Sequence, residues 1–188
     1  MVYILLGDGF EEMEALCACD ILRRGGAAVT TLSVSGQPVR GAHGIAVTAD
    51  RTVEEASMKD LEMVVLPGGL GGVSTIRASR AAMDLIARAW AADRYVAAIC
   101  AGPTALAELH ITDGRRATCY PGLEPEMGTA RMQPGAQVVR DGRLITGEAP
   151  GAAMAFGLAL LEALKGPETA AAVAAGLVLR PQGAGKEH

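Results

Sequence analysis

The sequence predicts an α/β protein with a mostly parallel sheet covered by helices on both faces. Short runs that are apolar throughout, such as Val2–Leu6, Met63–Leu66 and Tyr95–Ile99, alternate with segments of helical period. A strand without polar alternation is buried on both faces, which is the condition of parallel sheets under helical layers. The 188 residues only slightly exceed one typical domain. No linker rich in Pro, Gly or Ser divides them, so one domain over residues 1–180 is expected, with 181–188 as a frayed tail.

Taken in order, Val2–Leu6 is a β-rich run stopped by Gly7-Asp8-Gly9. Glu11–Arg24 reads as a helix, because Met13, Leu16, Cys17 and Ile21 recur at helical spacing and Gly25-Gly26 ends it. Ala28–Val34 is a second strand. Residues 36–52, with scattered Gly and short β-prone pieces, predict a small β-hairpin excursion. Met63–Leu66 is a strand ended by Pro67-Gly68-Gly69, Ala78–Ala92 a helix, Tyr95–Ile99 a strand and Gly102–Leu109 a helix. Val138–Ile145 is a hairpin turning on Asp141-Gly142. Gly151–Lys165 is nearly all apolar and therefore a buried helix. Ligands of open parallel sheets bind at the carboxyl edge of the strands. Three loops should meet there: Gly7–Glu14, Pro67–Gly72 and Cys100–Pro103.

Composition excludes several classes of function. Half the residues are apolar and a fifth charged, which describes a compact chain rather than a disordered one. Seventeen basic against 21 acidic residues leave a net charge of −4 with no basic run, against a nucleic-acid partner. Uncharged stretches such as Tyr95–Ala107 and Ala149–Leu161 fall short of the ~18 residues a spanning helix needs. The start lacks the basic leader of a signal peptide. A cytoplasmic protein with no membrane partner is expected, and there Cys17, Cys19, Cys100 and Cys119 are reduced unless redox chemistry is their purpose.

Cys100 is the sharpest chemical feature. It joins an apolar strand to a helix beginning near Gly102-Pro103, so it sits on a tight turn over the sheet edge. A helix N-terminus favours a thiolate and lowers the thiol pKa; the alternative is a buried cysteine used as a small hydrophobe. Glu11, Glu12 and Glu14 suit a helix N-terminus by charge alone. With Cys17 taken as inward-facing, however, Glu14 three residues earlier shares its face. A buried carboxyl there has a raised pKa and can donate to a thiolate or act as a base. Gly68 and Gly69 allow close backbone approach to a ligand, as an oxyanion hole needs, or simply make a turn. His110 lies on the order of 12 Å along its helix from Cys100, too far to be its base, and His43 could reach the site only from the hairpin. Cys17 and Cys19 point about 200° apart on a helix, against a zinc site. Gly7-Asp8-Gly9 is no dinucleotide fingerprint, since Glu12 stands where a third Gly is needed.

Gly9–Glu14, Val64–Gly69 and Ala97–Leu106 together resemble the DJ-1/ThiJ/PfpI superfamily in its DJ-1-like branch, and Ala149–Ala153 with the helix after it fits the family's C-terminal part. The resemblance implies a flavodoxin-like, doubly wound three-layer sandwich that forms a homodimer. It implies Cys100 as the strained nucleophile, Glu14 as its protonated partner, and the backbone of Gly68, Gly69 and Ala101 as oxyanion-type donors. It implies no metal and no cofactor. The associated activities are conversion of small 2-oxoaldehydes to hydroxy acids and deglycation. A non-catalytic stress sensor or redox-regulated chaperone using the same cysteine is the alternative. The protease and amidase branch has His directly after the cysteine, so Ala101 disfavours it. Two positions depart from the pattern. Tyr120 stands where a His neighbours the thiol, so any proton-transfer role passes to Tyr120 or is lost. Glu148 replaces an Arg, which weakens an anion pocket. Cys119 beside Tyr120 suggests a second thiol near the site, a resolving partner for an oxidised Cys100, and His43 is a possible accessory group.

Overall fold

The computed structural model describes residues 1–179, and the expected frayed tail lies outside the described residues. The chain runs β1 (Val2–Leu6), α1 (Glu12–Arg24), β2 (Val29–Ser33), β3 (Val39–Arg40), β4 (Ala46–Val47), β5 (Arg51–Thr52), β6 (Met63–Leu66), α2 (Leu70–Ala78), α3 (Arg80–Ala91) and β7 (Tyr95–Ile99). It continues through α4 (Gly102–Glu108), β8 (Arg116–Ala117), β9 (Arg131–Met132), β10 (Val138–Asp141), β11 (Leu144–Gly147), α5 (Ala153–Lys165) and α6 (Pro167–Gly176). Seven strands form one sheet in the order β10-β11-β7-β6-β1-β2-β5, parallel except where β10 returns against β11. The predicted α/β sandwich is the fold observed.

The fully apolar strands occupy the middle of the sheet for the expected reason. Every residue of β1 and β6 is buried, so both faces of these strands lie under helices. On one side α1 packs against α5 and α5 against α6; on the other, α2 packs against α3 and α4. The strand order reverses at β1, whose neighbours are β2 and β6. This switch point opens a crevice at the carboxyl edge, where the loops after β1, β6 and β7 converge.

The structure differs from the sequence reading at several boundaries. The loop after β6 is shorter than expected, because α2 starts at Leu70 and a separate helix, α3, follows at Arg80. The excursion after β2 is a hairpin of β3 and β4, but its end returns to the main sheet as β5, paired with β2. The β10–β11 hairpin pairs Asp141 with Leu144, so its loop is Gly142-Arg143 rather than Asp141-Gly142. Among the described residues, no helix is long and apolar enough to cross a membrane.

The main correction concerns the face that α1 buries. Met13 and Leu16 are exposed and Cys17 is half-buried, whereas Glu14, Ala15, Ala18, Ile21 and Leu22 are buried. Close approach explains the rotation. A Cβ added at Gly157 of α5 would lie 2.8 Å from Ile21 Cδ1 and 3.4 Å from Ala18 Cα. The two helices therefore approach closely at Gly157 and Ala18; Ile21 and Leu22 fill the buried face beside them, and Met13 and Leu16 are left on the outside. Replacing Ala18 with Leu should overpack this contact and cost about 1–3 kcal/mol. Leu16→Ala, on the outer face, should stay within about 0.5 kcal/mol of the parent in the free monomer. Urea denaturation of both variants measures the difference.

Candidate active site

The site begins with how β7 ends. Cys100 follows β7 directly and takes φ +64, a left-handed conformation rare for a residue with a side chain. Two backbone hydrogen bonds hold it there. The Cys100 N–H donates to Gly147 O at 3.0 Å, and Cys100 O accepts from the Tyr120 N–H at 2.8 Å. Gly102 lets the chain turn at once into α4, since a Cβ there would lie 2.8 Å from Leu66 O. The elbow is thus fixed from both sides, and the thiol projects over the carboxyl edge.

Glu14 arrives from α1. It is 1% exposed, and its Oε2 accepts the Gly68 N–H at 2.6 Å. A Cβ placed on Gly68 would lie 2.7 Å from Glu14 Oε2 and 2.9 Å from Cys100 Sγ. The thiol and the carboxyl therefore press against the same bare backbone and are within proton-sharing reach of each other. Burial pushes Glu14 up to about 7, opposed by the Gly68 N–H and the thiol contact and reinforced by Glu11. Its Oε1 is buried with no hydrogen-bond partner among the described residues.

The thiol behaves differently from the helix-terminus expectation. Burial is the largest influence, and the Glu14 charge adds to it, pushing Cys100 up to about 12 against the N–H groups of Gly69 and Ala101 aimed at the sulfur. The two N–H groups lower it, but burial and the neighbouring carboxyl outweigh them. Because each group opposes the other's charge, the pair carries a single negative charge over a wide range above neutrality. The reactive form is the one with the charge on sulfur and the proton on Glu14.

The remaining predicted residues divide clearly. Gly69 and Ala101 present N–H groups at the sulfur, whereas Gly68 spends its N–H on Glu14 and its carbonyl on the Glu11 N–H. Tyr120 is exposed on the wall of the cleft above Cys100, and His43 reaches the same cleft from the β3–β4 loop. Cys119 does not face it. Its side chain is buried with Ala107, Ala117 and Met127 in a small separate cluster, so it is not placed as a resolving thiol. Glu148 does not line the cleft.

Some contributors were not visible in the sequence. Glu11 caps α1, its Oε2 accepting the Glu14 N–H at 2.8 Å, although Glu is not a preferred cap residue. Glu12 straps the hairpin to the helix: Oε1 accepts the His43 N–H at 2.8 Å and Oε2 lies 2.9 Å from His43 Nδ1. Glu11, Glu12 and His43 bring three potential ligand atoms within 4.8 Å of one another. Both carboxylates already accept N–H groups at the positive end of a helix, which opposes a cation there. Leu70 and Leu123 complete the cleft, and only the fold brings them together.

The DJ-1/PfpI family profile matches residues 1–163. Protein dj-1beta of Drosophila melanogaster is 35% identical over 178 residues, covering 94% of this chain and 95% of the fly protein. Its crystal structure superposes with a TM-score of 0.91 at 35% identity over 95% of this chain and 97% of that one. A deglycase of Pyrococcus abyssi is 32% identical over 151 residues, 80% of this chain and 90% of the archaeal one.

The raised Glu14 value has a sign that can be tested. Its folded value of about 7 exceeds the ordinary 4.5, so the stability it permits is complete below 4.5 and is lost as pH rises through about 7. Urea midpoints of the parent should fall across that window, and those of Glu14→Gln should fall less. Alkylation of Cys100 should quicken as the pair loses its first proton near pH 7. In Glu14→Leu that step should move above the ordinary thiol range, since burial remains and the shared proton is gone.

Proposed function

The chain belongs to the DJ-1/PfpI family, and from that premise we propose that it is a cofactor-independent enzyme of the glyoxalase or deglycase type acting on small 2-oxoaldehydes. The observation that carries this is the buried Cys100–Glu14 pair, opening on a cleft and backed by the N–H groups of Gly69 and Ala101. The similarity to a protein named as a deglycase supports the same chemistry.

The Cys100 thiolate adds to the aldehyde carbon, and the alkoxide takes the proton held by Glu14, giving a hemithioacetal. Glu14, now a carboxylate, removes the hydrogen on that carbon as the electron pair moves toward the neighbouring ketone. Return of the proton to the second carbon, with the hydroxyl proton on the first carbon passing to the former ketone oxygen, leaves a thioester: the first carbon has been oxidised and the second reduced. Water then attacks the thioester and gives its proton to the Glu14 carboxylate, the C–S bond breaks, and the 2-hydroxy acid leaves with the thiolate and the protonated Glu14 restored. One water is consumed overall. The N–H groups of Gly69 and Ala101 suit the oxyanions at the first and last steps.

A second reading, as a redox sensor, is favoured by one observation. Glu14 Oε1 is buried without a partner, and a sulfinate oxygen formed on Cys100 by peroxide would supply one. Turnover separates the two readings. Protein treated with a chelator should convert methylglyoxal to lactate, and Cys100→Ser should abolish this. Glu14→Gln should lose on the order of 10²-fold or more, because an amide cannot take up and return the proton. Full turnover by Glu14→Gln would remove Glu14 as the base, and no turnover by the parent with its Cys100 thiol intact would favour the sensor.

The proposed enzyme is a homodimer. Met13 (61% exposed), Ile45 (53%), Leu16 and Met154 form a continuous apolar depression with Cys17 and Pro150 on the outer face of α1 and α5. A patch of this kind marks a protein contact. Sedimentation should give twice the monomer mass, and Leu16→Asp should return the monomer.

A further inference from the structure

The Tyr120–Leu123 wall of the cleft has little apolar packing to hold it. Leu123 is partly buried, whereas Tyr120, Pro121 and Gly122 are exposed. The segment they belong to rests on the small cluster of Ala107, Ala117, Cys119 and Met127, which is separate from the main core. The near end of the wall is pinned, because the Tyr120 N–H donates to Cys100 O. Its far end runs into a single helical turn, Glu124–Glu126. A segment with so few buried contacts opens easily unless something else restrains it.

Arg77, in the last turn of α2, supplies a restraint. Its Nη2 lies 3.5 Å from Glu126 Oε2, and its Nε lies 3.2 Å from Oε2 of Glu108, the last residue of α4. The Nε atom is buried and has no hydrogen-bond partner among the described residues, so its contact with Glu108 is one of charge rather than alignment. The Arg77 side chain is 32% exposed, and water screens it less than it would a cation at the open surface. Every arm of this tie leads to the site. Helix α2 starts at Leu70, directly after Gly69, and both residues line the cleft; α4 starts two residues after Cys100; Glu126 stands three residues after Leu123. The pieces of backbone that surround the thiol therefore meet again at one guanidinium, about 10 Å along α2 from Leu70. Without it, Glu108 and Glu126 would repel one another as like charges.

We propose that Arg77 is a positioning residue for this site: by drawing Glu126 onto the ends of α2 and α4 it holds the far end of the Tyr120–Leu123 wall against the cleft, and so sets how large a ligand can reach Cys100. The proposal rests on the reading of Cys100 as the reacting thiol and not on any particular aldehyde. Arg77 does not line the cleft and acts through the wall alone. Glu108 and Glu126 are half exposed, so the effects expected are of a few fold.

The test compares the intact protein with Arg77→Met, which keeps an apolar stem and removes the charge. Cys100 is alkylated by iodoacetamide and by the bulkier N-(1-pyrenyl)maleimide, each rate divided by that with free cysteine. The ratio of bulky to small reagent should rise at least about threefold in Arg77→Met, with the iodoacetamide rate itself little changed. Hydrogen exchange at the Leu123 amide, which donates to Tyr120 O, should quicken by a similar factor while the amides of β6 keep their rates. In turnover, KM for methylglyoxal should rise and kcat should stay within about twofold. Exchanging the charges, Arg77→Glu together with Glu126→Arg, should restore the labelling ratio and the Leu123 exchange rate. An unchanged ratio and exchange rate in Arg77→Met would overturn the proposal. So would equal acceleration across the whole sheet, which marks a general loss of stability, or failure of the exchanged pair to restore either readout. If methylglyoxal is not converted while labelling and exchange respond as stated, the aldehyde reading fails and the role of Arg77 stands. If the parent and Arg77→Met convert it alike and the labelling ratio does not move, the reading stands and the role of Arg77 falls.

Discussion

One buried negative charge shared between two groups organises the site. Glu14 and Cys100 sit too close, and too far from water, for both to ionise near neutral pH. Every nearby device is arranged around that restriction. The Gly68 N–H holds one carboxyl oxygen, Gly69 and Ala101 direct N–H groups at the sulfur, and Glu11 fixes the first turn from which Glu14 projects. The left-handed turn at Cys100 is held by partners from outside its own segment, Gly147 and Tyr120. The strain belongs to one residue, while the restraint on it is spread over the carboxyl edge of the sheet.

The sheet supplies the rigidity this needs. Its central strands are buried on both faces, so the ends of β1, β6 and β7 are fixed relative to one another. Residues separated widely in sequence, such as Glu14, Gly68 and Cys100, meet because parallel strands place their following loops on one edge.

Much of this was legible in the sequence, and the limits are physical ones. Apolar strands alternating with helical segments reveal the α/β architecture, and the strand-to-helix junction picks out Cys100. Glu14 is buried, as a reading that takes Cys17 for an inward residue expects, yet Cys17 itself lies beside Met154 Sδ at 3.0 Å on the outer face. Periodicity identifies a stripe of large apolar residues but not which stripe meets the core. Here Ala18 and Ile21 meet Gly157 of α5, a close approach that small residues on both helices permit. The thiol's pKa direction was likewise out of reach, since it depends on burial and on a carboxylate contributed by another helix. Cys119 looked close to the site by its number and is turned away by the fold.

The bare backbone at Gly68 has one further consequence, for how such a protein can diversify. A methyl group there would occupy the space that the thiol and the carboxyl already fill, so the position, the acid and the nucleophile are locked together and tolerate change only as a set. The rim formed by His43, Leu70, Tyr120 and Leu123 has no such constraint, since His43, Leu70 and Tyr120 are largely exposed and Leu123 is partly so. Substitutions can accumulate on the rim and redirect what the cleft admits while the reacting groups stay as they are. The same scaffold is therefore conservative at its centre and evolvable at its margin.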